Sequence, residues 1–351
     1  MAGAAVTRAS ILVPTHDKHT TLPLAVDTAL RQSVSDLEVI VIGDGVTDAL
    51  RTVIEGLLAA DPRVRFLDRP KGPHHGERYR HEAIGAAESD AIFYLCDDDL
   101  LLPHHVADLL ALLEDHTFVQ SYNGYVRTDG ELDFYAADLA DPTAIELMLD
   151  PGLRHCSVSI TGTAHSRAFY DLVGEPWDTT PPGEWADHWQ WKKLFRHPAF
   201  RGATSARMTA LQLPTTNSGR ESWTPQERED ELRRWYDLVV GPAGQARVDA
   251  LVERASRRVL AEDRKELAVL RHGFETLTRE LDAARGAVVE LRSALDRADE
   301  ETLSGQAELA AAQQQLQRAH RQLRRAQQRL RRKNERIAAL RAARGGSFAV
   351  E

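Results

Sequence analysis

Asp97, Asp98 and Asp99 stand side by side after the apolar run AIFYL at 91–95 and before LLLP at 100–103. That order puts three carboxylates on a tight loop at the carboxyl edge of a strand. Like charges so close together are costly unless a cation sits among them. A hard divalent ion would meet that need, because Mg2+ and Mn2+ prefer oxygen ligands and commonly bind through a few carboxylates plus substrate phosphates. Pro103 opens a helix just beyond, so the loop taken alone also fits a structural role at the positive end of the helix dipole.

The elements that would position this loop follow from periodicity. Residues 9–17 (ASILVPTHD) read as a buried strand, 22–32 as a helix, 37–42 (LEVIVI) as a second strand closing on Gly43-Asp44-Gly45, and 48–60 as an amphipathic helix. A short strand at 63–67, a helix at 77–88, a buried strand at 91–96 and a helix from Pro103 to about Leu113 complete the alternation. Strands alternating with helices predict an α/β fold with a mostly parallel sheet, its functional loops gathered at the carboxyl ends of the strands. From 117 to 240 the pattern is less regular, with strands expected at 117–127 and 156–165 and a helix near 185–195. Gly241-Pro242-Ala243-Gly244 then marks a domain boundary.

Beyond it the sequence changes character. From Leu267 to Ile337 every seventh residue is apolar except Thr302, and the positions three further on run mostly Leu or Ala from Leu270 to Leu340. Such an a/d seam predicts a left-handed coiled coil. As one helix it would reach on the order of 110 Å at about 1.5 Å per residue. A lone helix would leave its Leu stripe wet, so pairing is expected, as a homodimer, with Thr302 and Gly305 as the weak point.

The formal charge of −9 hides an asymmetry: residues 318–344 carry eleven Arg or Lys against the single acid Glu335. Arg rows of this kind can attract anionic lipid headgroups, although a merely solvated face is the simplest account of them. With no aromatic residues between the arginines, nucleic acid is disfavoured. Two cysteines, Cys96 and Cys156, are too few for a disulfide framework, and no run of eighteen apolar residues or basic-apolar leader is present. A cytoplasmic protein is expected, with peripheral contact at the inner face of the membrane through the basic segment.

The combination ILVPTHDK at 11–18, VIVIGDGVTD at 39–48 and GERYRHEAIGAAESDAIFYLCDDDLLLPHH at 76–105 resembles family 2 glycosyltransferases of the GT-A fold. The resemblance covers residues 9–110 closely and continues more loosely to about 200. It implies a GT-A fold for the first part, so that with the Gly/Pro break and the heptads the chain divides into a GT-A domain over 9–240, a linker and helical connection at 241–265, a coiled coil at 266–341 and a disordered tail at 342–351. It also implies an inverting, Mn2+- or Mg2+-dependent transfer from a nucleotide sugar, UDP- or TDP-linked, to a hydroxyl of a saccharide, lipid-linked or natural-product acceptor.

Within that resemblance Pro14 and Thr15 would open the nucleotide cleft, and Asp44, an acceptor only, would suit the imide N–H of uracil or thymine. An Asp-Gly turn is the plain alternative for Asp44. Lys71, and Arg80 or Arg78, could face the diphosphate, Arg as a fork and Lys as a point charge. The acidic loop departs from the usual family pattern: aligned on Pro103, Cys96 stands where an Asp is common. Asp97 then takes over that role or contacts ribose, Asp98 and Asp99 are the metal ligands, and Cys96 reads as buried. The acceptor-side base falls in GEWADHWQW at 183–191, where Asp187 is the candidate and Glu184 its rival. Trp185, Trp189 and Trp191, with His188, could contact a sugar or fill a core. The loop TTNSGRESW at 215–223 could close over the donor. A nucleotidyltransferase is disfavoured because PTHDKHTTLP lacks glycine, and an inactive scaffold because Asp44, Asp97, Asp98 and Asp99 are all retained.

Overall fold

The computed structural model describes residues 7–135, 137–153, 155–214, 218–300 and 306–344. Its first part follows the periodicity: β1 (Ala9–Thr15), α1 (Leu22–Leu30), β2 (Leu37–Asp44), α2 (Asp48–Ala60), β3 (Val64–Arg69), α3 (Tyr79–Ala86) and β4 (Ala91–Tyr94). Ile11, Val13, Val39 and Val41 pack on one face of the sheet, Leu12, Ile40 and Ile42 on the other, all essentially buried. A strand apolar on both faces must be covered on both, which is the condition for a parallel sheet between helix layers. Thr47 caps α2 by accepting from Leu50 N at 3.3 Å, a contact worth about 1 kcal/mol.

The second part comprises β5 (Leu100–Leu101), α4 (His105–Leu113), β6 (Phe118–Gln120), β7 (Gly124–Val126), β8 (Leu132–Phe134), α5 (Pro142–Leu149), β9 (Thr163–Ser166), α6 (Arg167–Val173), α7 (Ala186–Phe195), β10 (Gly202–Thr204), β11 (Ala210–Leu211) and α8 (Pro225–Val240). The main sheet has seven strands in the order β10-β6-β9-β4-β1-β2-β3. All neighbours are parallel except β9, which runs antiparallel to both β4 and β6. Leu22, Val26, Leu50 and Leu109 fill one side; Ile84, Met148, Phe169 and Trp191 fill the other.

Two expected strands are shorter than their sequences suggest. The run 117–127 splits into β6 and β7 because Ser121 N and Tyr122 N leave the ladder for Gly162 O at 2.8 Å and Arg207 O at 3.1 Å. In 156–165 only Thr163 onward joins the sheet, since Thr161 is turned to the acidic loop instead.

The chain then forms α9 (Gly244–Glu300) and α10 (Gln306–Arg344). It divides into two units, the first running to Arg257 and the second spanning Arg258–Arg341. The heptads are therefore carried by two helices and not by one continuous rod. Within the second unit Leu277, Leu281 and Ala319, all seam positions, are buried. The Lys333 side chain lies against Gly273, so α10 runs back along α9 there. Thr302 and Gly305, the expected weak point, and the tail from 345 fall outside the described residues. No helix among the described residues is long and apolar enough to cross a membrane.

Candidate active site

A cavity of about 350 Å³ opens at the carboxyl ends of β1, β2 and β4. Pro14, Thr15, Lys18, Asp44, Lys71, Arg80, Cys96, Asp97, Asp98 and Asp99 line it from the first part of the domain. From the second part come Tyr135, Ser159, Ile160, Thr161, Ala186, Asp187, Gln212 and Pro214. Pro14 and Pro214, two hundred positions apart in the sequence, thus share one hollow.

Asp44, at the end of β2, is 5 % exposed. Its carboxylate accepts from Gly72 N at 2.6 Å and from the Lys71 ammonium. Lys71 also donates to His74 O at 3.0 Å, which closes a loop around the carboxylate. Gly76 makes this closeness feasible: at φ +60° it lies so near that a Cβ would fall 2.6 Å from Asp44 Cγ. Asp44 is therefore more than an Asp-Gly turn residue, since it organises the loop 71–76.

In the acidic loop the three carboxylates are treated differently. Asp99 Oδ2 accepts from the Thr161 hydroxyl at 2.5 Å and Oδ1 from Leu213 N at 2.8 Å, so both oxygens are engaged by the fold. Asp98 Oδ2 instead meets two cations, Arg228 Nη2 at 3.0 Å and Lys18 Nζ at 3.4 Å. Asp97 is pushed up to about 8 by burial and then by the Asp98 charge, and Asp99 to about 7 by the same two causes. Carboxylates raised this far are short of positive charge.

The loop fits a divalent ion of the Mg2+ or Mn2+ kind. No group of three or more His, Cys, Asp or Glu among the described residues is arranged to hold a metal unaided. One pocket-facing carboxylate completed by phosphate and water is the usual binding mode of such an ion. Asp98 and Asp99 both line the cavity and could hold such an ion, although both Asp99 oxygens already accept hydrogen bonds from the fold.

Cys96 is half-buried, packed against the core on one side and lining the cavity on the other, so the expectation of a buried residue holds only in part. Its thiol is pushed well up by desolvation and by the Asp99 and Asp98 charges, so it remains neutral. Its backbone N–H donates to Thr161 Oγ1 at 2.9 Å, which ties the loop to the segment leading into β9.

From the second part of the domain Asp187, which opens α7 and is 6 % exposed, lines the cavity. Burial lifts its pKa to about 6, partly offset by hydrogen bonding to its carboxylate, which accepts from His188 N at 2.8 Å, and by the Arg80 charge. Glu184 is exposed, pairs with Lys192 at 3.1 Å, and does not line the cavity. Arg80 is buried with its guanidinium 4.9 Å from the Trp177 ring centroid, whereas Arg78 is exposed. Arg80 Nε and Nη1 have no hydrogen-bond partner among the described residues.

The tryptophans of α7 do not line the cavity. Trp191 is core, packed on Phe118, Tyr94 and Trp177, and Trp189 donates to Asp178 Oδ1 at 2.9 Å. Of the loop 215–223, Arg220 is buried and paired with Glu231 at 2.6 Å; residues 215–217 lie outside the described residues. Sequence reading missed Lys18, Tyr135, Thr161, Gln212 and Arg228. Lys18 sits inside a quoted motif and was within reach; the others carry no local pattern.

Residues 10–164 match the family model described as "Glycosyl transferase family 2". This part of the chain is thus similar to family 2 glycosyltransferase domains, and the acids stand at the strand ends of a mostly parallel α/β sheet. It is 36% identical over 126 residues to the chondroitin synthase of Pasteurella multocida (strain Pm70), covering 35% of this chain and 13% of that protein. The same figures hold for the hyaluronan synthase of Pasteurella multocida. The chain therefore spans about an eighth of the length of these curated relatives. Among solved structures it is similar to S. aureus TarS 1-349 in complex with UDP-GlcNAc, with TM-score 0.47 and 15% identity over 72% of this chain and 73% of that one.

Proposed function

We propose that this enzyme is a metal-dependent inverting glycosyltransferase that moves a sugar from a UDP- or TDP-sugar to a hydroxyl of a saccharide, lipid-linked or natural-product acceptor. The observation that carries the reading is the convergence of Asp44, Asp97 and Asp98 with Asp187 in one cavity, strand-end acids on one side and a lone raised carboxylate on the other.

In this reading Asp44 accepts from the imide N–H of the base, with Lys71 and the loop 71–76 holding it in place. Pro14 and Thr15 form the cleft mouth, and Asp97 contacts the ribose. Asp98 would hold Mn2+ or Mg2+, which when bound offsets negative charge on the departing diphosphate. Arg80, buried and only partly satisfied, supplies a fixed positive charge at the inner end. Asp187 takes the proton of the attacking hydroxyl, a role suited to a carboxylate whose pKa lies near the working pH. Burial keeps bulk water from competing with the acceptor.

Calorimetric titration with UDP, TDP and GDP, each with and without Mn2+, tests this. Metal-requiring binding of a uridine or thymidine diphosphate is expected. No binding of any of the three would overturn it.

The helical unit is proposed to pair copies of the chain, and its arginines to contact an anionic membrane face. Arg318, Arg321, Arg325, Arg329 and Arg332 are exposed at helical spacing on α10. Such contact is electrostatic, so binding to phosphatidylserine vesicles should fall steeply as salt rises. Salt-insensitive binding, or none, would remove this part of the proposal.

A further inference from the structure

Asp98 is met by two cations of different character. Lys18, in the loop after β1, has a side chain 35% exposed and lines the cavity. Arg228, on α8, is 8% exposed at its side chain and also donates to Leu213 O at 2.7 Å. Glu231 lies 3.7 Å from its Nη1, and that atom and Nε have no hydrogen-bond partner among the described residues. One cation is thus free to swing on a long flexible stem, and the other is anchored by its surroundings.

We infer that Lys18 is a stand-in cation, holding Asp98 while no metal is bound, surrendering it to the divalent ion, and moving to a phosphate oxygen of the donor. Arg228 stays on Asp98 throughout and fixes the carboxylate's direction. The inference rests on the reading of Asp98 as metal ligand.

The consequence is an ordered dependence between metal and donor. A metal arriving alone must displace an ammonium whose remaining anionic neighbours, Asp97 and Asp17, attract it less than Asp98 does. A metal arriving with a diphosphate displaces an ammonium that gains a new partner. Each therefore strengthens the other's binding, and by linkage the enhancement is the same in both directions.

The test is Mn2+ binding to the full chain, read by the electron paramagnetic resonance signal of the free ion, with and without UDP. Wild type, Lys18→Met and Asp98→Asn are compared. Lys18→Met is expected to bind Mn2+ alone about tenfold more tightly than wild type, the order of effect for giving up one partly buried ion pair. The same variant should bind UDP in the presence of Mn2+ about tenfold more weakly while UDP alone binds as in wild type, so the mutual enhancement should drop about tenfold. Asp98→Asn should abolish Mn2+ binding in both conditions.

If Lys18→Met leaves the affinity for Mn2+ alone unchanged or lower while Asp98→Asn abolishes it, the stand-in role of Lys18 is wrong and the metal ligand stands. Mn2+ binding indifferent to Asp98→Asn would sink the underlying reading instead.

Discussion

Asp187 and Arg80 line the same cavity from α7 and α3, and the Arg80 charge pulls down a carboxylate that burial lifts to about 6. Of its other titratable neighbours, Tyr135, Cys156 and His188 add no charge of their own. Burial holds the Cys156 thiol well up and takes the His188 imidazole down to about 4, so both are neutral around pH 6.

The pH profile follows from that pair. As a base Asp187 works ionised, so kcat/KM should fall about tenfold per pH unit below its pKa and level off above it. Arg80→Met removes the charge that lowers the pKa, and its inflection should move to higher pH. A profile flat from 7 to 5 in wild type would exclude Asp187. Asp187→Asn should cut kcat by about 10²- to 10⁴-fold, the usual range for a general base, whereas Glu184→Gln should leave it nearly unchanged.

Asp98 and Asp99 should fail differently. Asp98→Asn removes the pocket-facing charge and is expected to lose Mn2+ binding with little change in melting temperature. Asp99→Asn replaces an oxygen that accepts from Leu213 N or from Thr161, and should cost about 1–3 kcal/mol of stability. Thermal melts alongside Mn2+ titrations separate the two, and identical behaviour would contradict the distinct geometry.

Gly76→Ala tests the wrapped loop at Asp44. The φ of +60° and the intruding Cβ together predict a stability loss of about 1–2 kcal/mol. Nucleotide affinity should drop by more than that, because the methyl group must push Asp44 aside. Unaltered UDP affinity would mean that the loop can move without disturbing Asp44.

Leu267 and Phe274, seam residues of α9, are 48% and 44% exposed. If copies of the chain pair there, Leu267→Glu with Phe274→Glu in the full chain should convert a dimer to a monomer in sedimentation velocity. A wild-type chain that already sediments as a monomer would leave the seam serving only the α9–α10 contact.

Much of the first half was legible because its strands are buried on both faces and end in acids. Ile11 to Val13 and Val39 to Ile42 announce both their conformation and their burial. The limit came where side chains, not periodicity, decide. Thr161 leaves the β9 ladder to hold Asp99, so a run that reads as strand is loop. Arg228 reaches Asp98 across 130 residues, a relation without any local signature. Thr302 and Gly305 marked a weak point of the seam in the sequence, but that α10 covers α9 was hidden, because an a/d pattern describes which face is apolar and not which helix covers it.

The brace from Leu213 to Asp99 spans 114 residues. During synthesis the strands through β4 can pair as soon as they emerge, since their partners are near in sequence. The carboxylates that follow must wait for Thr161, then Leu213, then Arg228. At synthesis rates of about 5–20 residues per second, that interval lasts roughly 6 to 26 seconds. The nascent chain thus holds its sheet long before its acidic loop is anchored, and ligand binding should arise only after α8 has left the ribosome.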